Sequence, residues 1–426
     1  MSCFYELANR VESDHFSVEW GTNGGLNNAT AEYLLAALEV TRQTFLDGGY
    51  AEPAGNPDGF KVPYYLGNSG PAAPTINFNG GYTTVCTNFQ HAYVVMSSIE
   101  QTIGSLDVAN HELFHAVQMG SPEPYGVEGF YWEASATWAE EFAEPDYNVY
   151  QWFLPSYTNN TNWALDHEDN SQDGFLHRYA MFILPMFLLE SAPDGPAALR
   201  YVWNGSGNGL VDRLDTAWRD TGHDTTFKEQ FGAFTAAVST MDFVDGPTYD
   251  FARVPARDVF EGDSEVTEVI APRWFGSHFY RAGPTDEDVE GGRTKMRVEF
   301  DGTQPGWVIA VNRSPDSRES IPTVVLADED GLATAAVIDV GGEYAETWVI
   351  VTNTQSENAD YTLSITFVDQ SEAPGSDLNP PEDDVPGPGR GAGCVESVSH
   401  PFGYGGVGGF ALLLAVPWRR RRPSIA

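Results

Sequence analysis

Two histidines four residues apart, His111 and His115, enclose a carboxylate in the run His111-Glu112-Leu113-Phe114-His115. On a helix that spacing puts both imidazoles on one face, one turn apart, so that both can reach one metal ion. Glu112 lies beside them, placed to contact an attacking water without ligating the metal. Zinc is the cofactor such a pattern calls for, and it needs a third protein ligand with the fourth position left to water. The run WEASATWAEE supplies a candidate in Glu133, 18 positions after His115, which leaves room for one turn and a returning helix. Glu140 and Glu141 compete. At ~1.5 Å per residue, Glu140 lies roughly 10 Å beyond Glu133 along that helix, so the two cannot bind the same ion. A solvated acidic face is the better reading for Glu140 and Glu141.

HELFHAVQ followed by WEASATW resembles the HExxH…E arrangement of gluzincin metallopeptidases, the thermolysin-like class. There the third-ligand Glu is followed three residues later by a small residue, as Glu133 is here by Ala136. The spacing of 18 is slightly shorter than in thermolysin-type enzymes. Together with RYAMFILPMFLLE, the two motifs also resemble secreted metalloproteases predicted from myxobacterial genomes, over roughly residues 14–370. The resemblance implies a zinc peptidase acting on a peptide or protein substrate. His111, His115 and Glu133 would be the ligands and Glu112 the general base and acid. It points to Tyr179 as donor to the tetrahedral oxyanion, with His177 as second choice; the competing reading of Tyr179 is a core residue with a satisfied hydroxyl. By analogy with zincins, the strand AYVVMSS is expected at the sheet edge, pairing with an extended substrate.

The elements that must hold these residues follow from periodicity. HFSVEW alternates and reads as a first strand; Ala29 to Leu46 carries an apolar stripe at helical spacing. Lys61 to Leu66 and Ala92 to Met96 read as strands. The active-site helix is expected over about 99–119 and the third-ligand helix over about 130–142, with mainly helical chain to about Val244. From about residue 255, β-rich runs (MRVEF, GWVIAVN, TVVLAD, AAVIDV, TWVIVTN, YTLSITFV) recur between turns. The fold class read from these elements is α+β: an N-terminal α/β lobe and a helical lobe (1–254), which the gluzincin resemblance implies are zincin-like, then an antiparallel β-sandwich (255–368). An acidic Pro/Gly linker (369–393) and a C-terminal tail (394–426) complete the chain.

With 61 acidic against 22 basic residues, the net charge is −39. Such a chain is repelled by nucleic-acid phosphates and by anionic lipid, which excludes both as general partners. Membrane contact is expected only through the tail. There a Gly-Cys pair at Cys394, a short apolar stretch to Trp418 and four arginines resemble myxobacterial sorting tails, and imply export to the cell surface or outer membrane. No signal peptide opens the sequence, so a start upstream of Met1 is expected. Three cysteines cannot make a disulfide framework; Cys3 and Cys86 could pair or stay free. Asp107 reads as part of the active-site helix rather than a partner of the ligands. Asp328-Glu329-Asp330-Gly331 reads as a hairpin turn rather than a calcium loop, and the remaining histidines lack ligand spacing. Two rivals stand beside the peptidase. One is a non-catalytic surface binding protein with a degenerate zinc site and a working sandwich; the other is a zinc hydrolase acting on something other than peptides.

Overall fold

Strands β1 (Asn9–Glu12), β2 (Phe16–Trp20), β3 (Val62–Leu66), β4 (Gly81–Cys86) and β5 (His91–Met96) form one sheet in the order β1-β2-β3-β5-β4. The computed structural model describes residues 4–23, 25–86, 91–99, 103–145, 148–269, 272, 274–340, 344–369 and 371. Every residue of VPYYL in β3 is buried, the mark of a central strand covered on both faces. It runs parallel to β2 and β5, whereas β4 pairs antiparallel with β5 and closes the edge, Thr83 opposite Val94. AYVVM is thus an inner strand, and the edge expected there belongs to GYTTVC. β4 escapes notice because a Gly- and Asn-rich turn precedes it and none of its first five residues is fully buried.

Helix α1 (Asn28–Asp47) starts at Asn27, whose side chain caps the Thr30 amide, and buries Leu34, Leu35, Leu38 and Phe45. α2 (Ile103–Gly120) carries the histidine motif across the sheet, with the Tyr64 hydroxyl donating to the Ala109 carbonyl at 3.1 Å. A 3-10 turn at Pro124–Gly126 reverses the chain into α3 (Gly129–Ala143). Six helices follow: α4 (Leu154–Thr158), α5 (Gln172–Ala180), α6 (Ile183–Ser191), α7 (Gly195–Asn204), α8 (Leu210–Asp220) and α9 (Phe227–Thr240). The apolar run from Tyr179 to Leu189 is divided between α5 and α6, whose third residue, Pro185, has no amide proton to give.

The strand-rich part begins with β6 (Asp258–Glu261) and β7 (Ser264–Glu268), followed by β8 (Gly276–Gly283) and the short α10 (Asp286–Glu290). β9 (Lys295–Gly302), β10 (Trp307–Ser314), β11 (Ile321–Leu326), β12 (Leu332–Asp339), β13 (Glu346–Asn353) and β14 (Tyr361–Val368) complete it. They form two sheets, β11-β10-β13-β8-β6 and β12-β9-β14-β7, that bury Tyr280, Val298, Trp307, Val349 and Leu363 between them. All pairings are antiparallel except β6 with β8, which is parallel. The first of these sheets is covered on its other face by α9: Phe275 contacts Phe227 and Phe231, and Ile350 joins the same core as α1 to α9. The fold is α+β, with these two sheets stacked against a helical layer.

The expected tail lies outside the described residues, as does nearly all of the linker. Among the described residues no helix is long and apolar enough to cross a membrane. Cys86 is disulfide-bonded; Cys3 lies outside the described residues. The 328–331 turn is not the hairpin expected there, because it joins β11 of one sheet to β12 of the other; the Asp328 carboxylate caps it, accepting from the amides of Asp330 and Leu332, both at 2.9 Å.

Candidate metal centre

α2 and α3 pack side by side and bring three donor atoms together. His111 Nε2 lies 3.1 Å from His115 Nε2 and 3.2 Å from Glu133 Oε2, and His115 Nε2 lies 3.4 Å from the same oxygen. Ligands about 2.0–2.2 Å from a tetrahedral ion stand roughly 3.3–3.6 Å apart, so this triangle is close to, and slightly smaller than, one face of a zinc tetrahedron. The three residues could hold a metal ion, and among the described residues they are the one group that could do so.

The second nitrogen of each histidine is also engaged. His111 Nδ1 is 2.9 Å from Glu140 Oε1, and His115 Nδ1 is 2.7 Å from Gln118 Oε1. The Gln118 amide orientation is fixed because its Nε2 donates to Trp132 O and Ser135 Oγ, each at 3.0 Å. Both acceptors hold the proton on Nδ1 and turn the Nε2 lone pair toward the centre. The solvated reading of Glu140 is therefore wrong: it is only 7% exposed and buried under His111. Seven residues carry α3 through about two turns, so Glu133 and Glu140 share a face and meet opposite edges of one imidazole. Glu141 is half-buried rather than solvated, and its charge acts on Tyr150 and Tyr249. Gln118 was not singled out from sequence, although it stands three residues after His115 in HELFHAVQ, on the same helix face.

Electrostatics point the same way. Burial opposes a charge on His111, yet hydrogen bonds to Glu133 and Glu140 outweigh it and push the imidazole up to about 10. Burial also opposes charge on Glu133, but His111 and His115 hold its carboxyl far below the usual range. Converging lone pairs in a buried place favour a cation among them, which a proton or a divalent ion can supply. Asp107 lies one turn before His111, buried and with no hydrogen-bond partner for either carboxylate oxygen among the described residues. Burial, then the charges of Glu140 and Glu144, pushes it up to about 7.

Glu112 is not among the three converging residues, and its carboxylate bonds to the edge strand β4. Its Oε2 accepts from Thr83 Oγ1 at 2.7 Å, and Gly81 passes so close that a Cβ there would lie 2.9 Å from Glu112 Cγ. No family model and no curated protein matches the chain.

Two aromatic rings flank the two histidines. Tyr179 stacks on His111 with ring centres 5.8 Å apart, and Trp132 on His115 at 6.4 Å. Burial, then the nearby charge of Glu133, raises the Tyr179 phenol above its ordinary range and keeps it a protonated donor beside the centre. His177 is elsewhere. It is fully buried, with Nδ1 3.3 Å from Ser156 O and Nε2 3.2 Å from Ala164 O, and burial lowers its pKa to about 4. It cannot serve the centre.

Proposed function

We propose that the chain is a zinc-dependent peptidase whose 1–254 region is a zincin-like unit of gluzincin type. The observation that carries this is the triangle of His111, His115 and Glu133 with Glu112 beside it and outside it. A purely structural zinc site has all four positions filled by protein and no use for a base. Zinc held by the three residues would supply Lewis acidity, lowering the pKa of a water and polarising a carbonyl. Glu112 takes the proton of that water as its oxygen attacks the peptide carbon. It then passes the proton to the amide nitrogen as the C–N bond breaks. Tyr179 donates to the oxyanion that forms between the two steps. Among the described residues β4 is the edge strand of its sheet, and beside Glu112 it would offer backbone groups to an extended peptide.

Export to the cell surface belongs to the same proposal and rests on the tail resemblance. The test is metal content of the purified protein together with hydrolysis of a mixed peptide library, each compared with Glu112→Gln. Stoichiometric zinc and cleavage that the variant loses are expected. A protein that takes up zinc yet cleaves no peptide points to the binding protein or to another hydrolase.

A further inference from the structure

Beyond the metal centre, the same helix and the same edge strand meet at a second feature. A cavity of about 630 Å³ opens between the end of α2, the turn that follows it and the segment before α8. Met119, which lines it, lies four residues after His115 and so on the ligand face of α2, about 6 Å further along the axis. Val85 lines it from the strand side. Gly81, Thr83 and Val85 share one face of β4, and four residues of strand cover about 13 Å from the point where Gly81 meets Glu112. Two independent rulers thus place the cavity on the path of a peptide paired with β4, three or four residues from the bond to be cut.

Its wall is preformed. Arg213 is fully buried and spends its guanidinium on three backbone carbonyls: Val202 at 2.6 Å, Glu123 at 2.9 Å and Gly207 at 3.2 Å. These bonds clamp the turn after α2 to the loop before α8. A Cβ at Gly126 would lie 2.2 Å from the same guanidinium, so only glycine lets the turn close on it.

The chemistry of the cavity is selective. Asp58 and Glu123 line it, both exposed, and among the described residues neither has an ion-pair partner. Tyr125, on the same turn, is 84% exposed. Two carboxylates and an open aromatic face beside apolar Val85 and Met119 suit a long side chain with an apolar stem and a cationic tip. We propose that this cavity is a substrate subsite for an arginine or lysine side chain of an extended peptide. The proposal rests on the peptidase reading and names its substrate class. The net charge of −39 favours the same basic peptides at long range.

The test uses the zinc-loaded full chain and paired peptides differing only in Arg or Ala at each position around the cut. An Arg preference of about tenfold or more in kcat/KM is expected at one position, three or four residues from the cleaved bond. It should sit mainly in KM and weaken with added salt. In the Asp58→Asn/Glu123→Gln double variant the preference should disappear, read as the ratio of Arg to Ala peptides so that any general change in activity cancels. Calorimetric affinity of Glu112→Gln for the uncleaved Arg and Ala peptides should show the same ratio, independently of turnover. Equal cleavage of Arg and Ala peptides, or a preference that survives the double variant, overturns the subsite and leaves the peptidase reading standing. Cleavage of no peptide overturns both.

Discussion

Glu133 and Glu140 sit at opposite nitrogens of His111, and that division assigns different consequences to their loss. Glu112→Gln removes a proton acceptor but no ligand, so zinc should stay near stoichiometric while the rate falls by ~10²–10⁴-fold. Glu133→Gln should lower zinc affinity and activity together. Glu140→Gln keeps an oxygen near Nδ1 but removes its charge, and loss of such an outer partner typically lowers metal affinity or activity by about 10–100-fold. Competition with a chelator, read beside turnover, separates the three. Zinc binding in Glu140→Gln indistinguishable from wild type would remove it from the centre. That His111 and His115 meet was legible because four-residue spacing on a helix is a local property; that Glu133 joins them rested on the resemblance of WEASATW. Glu140 was not, because WAEE looks the same on a wet face as on a dry one. What buries it is α2 packing against α3, which no window of sequence contains.

Among the elements, α2 and α3 were readable to within a few residues because apolar period and Gly or Pro stops coincide. β4 was not readable, although it decides where Glu112 points. Gly81 and Thr83 lie about thirty residues before Glu112 and touch it only through the sheet. Gly81→Ala would press a methyl group against the Glu112 side chain and turn its carboxylate out of line. The expected result is unchanged zinc content and a fall in kcat larger than any change in KM. Thr83→Val, which removes the hydroxyl bonded to Glu112 at 2.7 Å, should likewise lower kcat with zinc content unchanged. A fall in kcat for Gly81→Ala accompanied by loss of zinc would mean that the helix, not the carboxylate, had moved.

At the scale of the whole molecule, the β-rich runs after residue 255 were legible as strands, but not which face of which sheet would meet the helices. TWVIVTN and GWVIAVN are apolar on alternate and intervening positions alike because their sheet is buried on both sides. On one face Asn312 donates to Ala236 O and Ser239 Oγ of α9, each at 2.9 Å, and Gly232 of α9 leaves no room for a Cβ against Val324. The helical core also holds a titrating group. Burial, then the charges of Asp245 and Asp242, pushes Glu190 up to about 8 from 4.5. A carboxyl raised on folding is favourable while protonated, so stability is lost as pH climbs from 4.5 toward 8. Glu190→Gln should melt with the wild type near pH 4.5 and above it at pH 8; identical curves at both would dismiss the effect.

Because α9 and the strand bearing Ile350 share one core, heat should find no seam between the two parts of the chain. Calorimetry is expected to show one cooperative transition, with release of zinc and loss of strand signal at the same temperature. Ile350→Ala, in the sandwich, should destabilise by about 2–5 kcal/mol and bring the temperature of zinc release down with it. The sandwich would then act as a thermal fuse for the metal centre: wear on its strands would undo the histidine pair before any residue around it had changed.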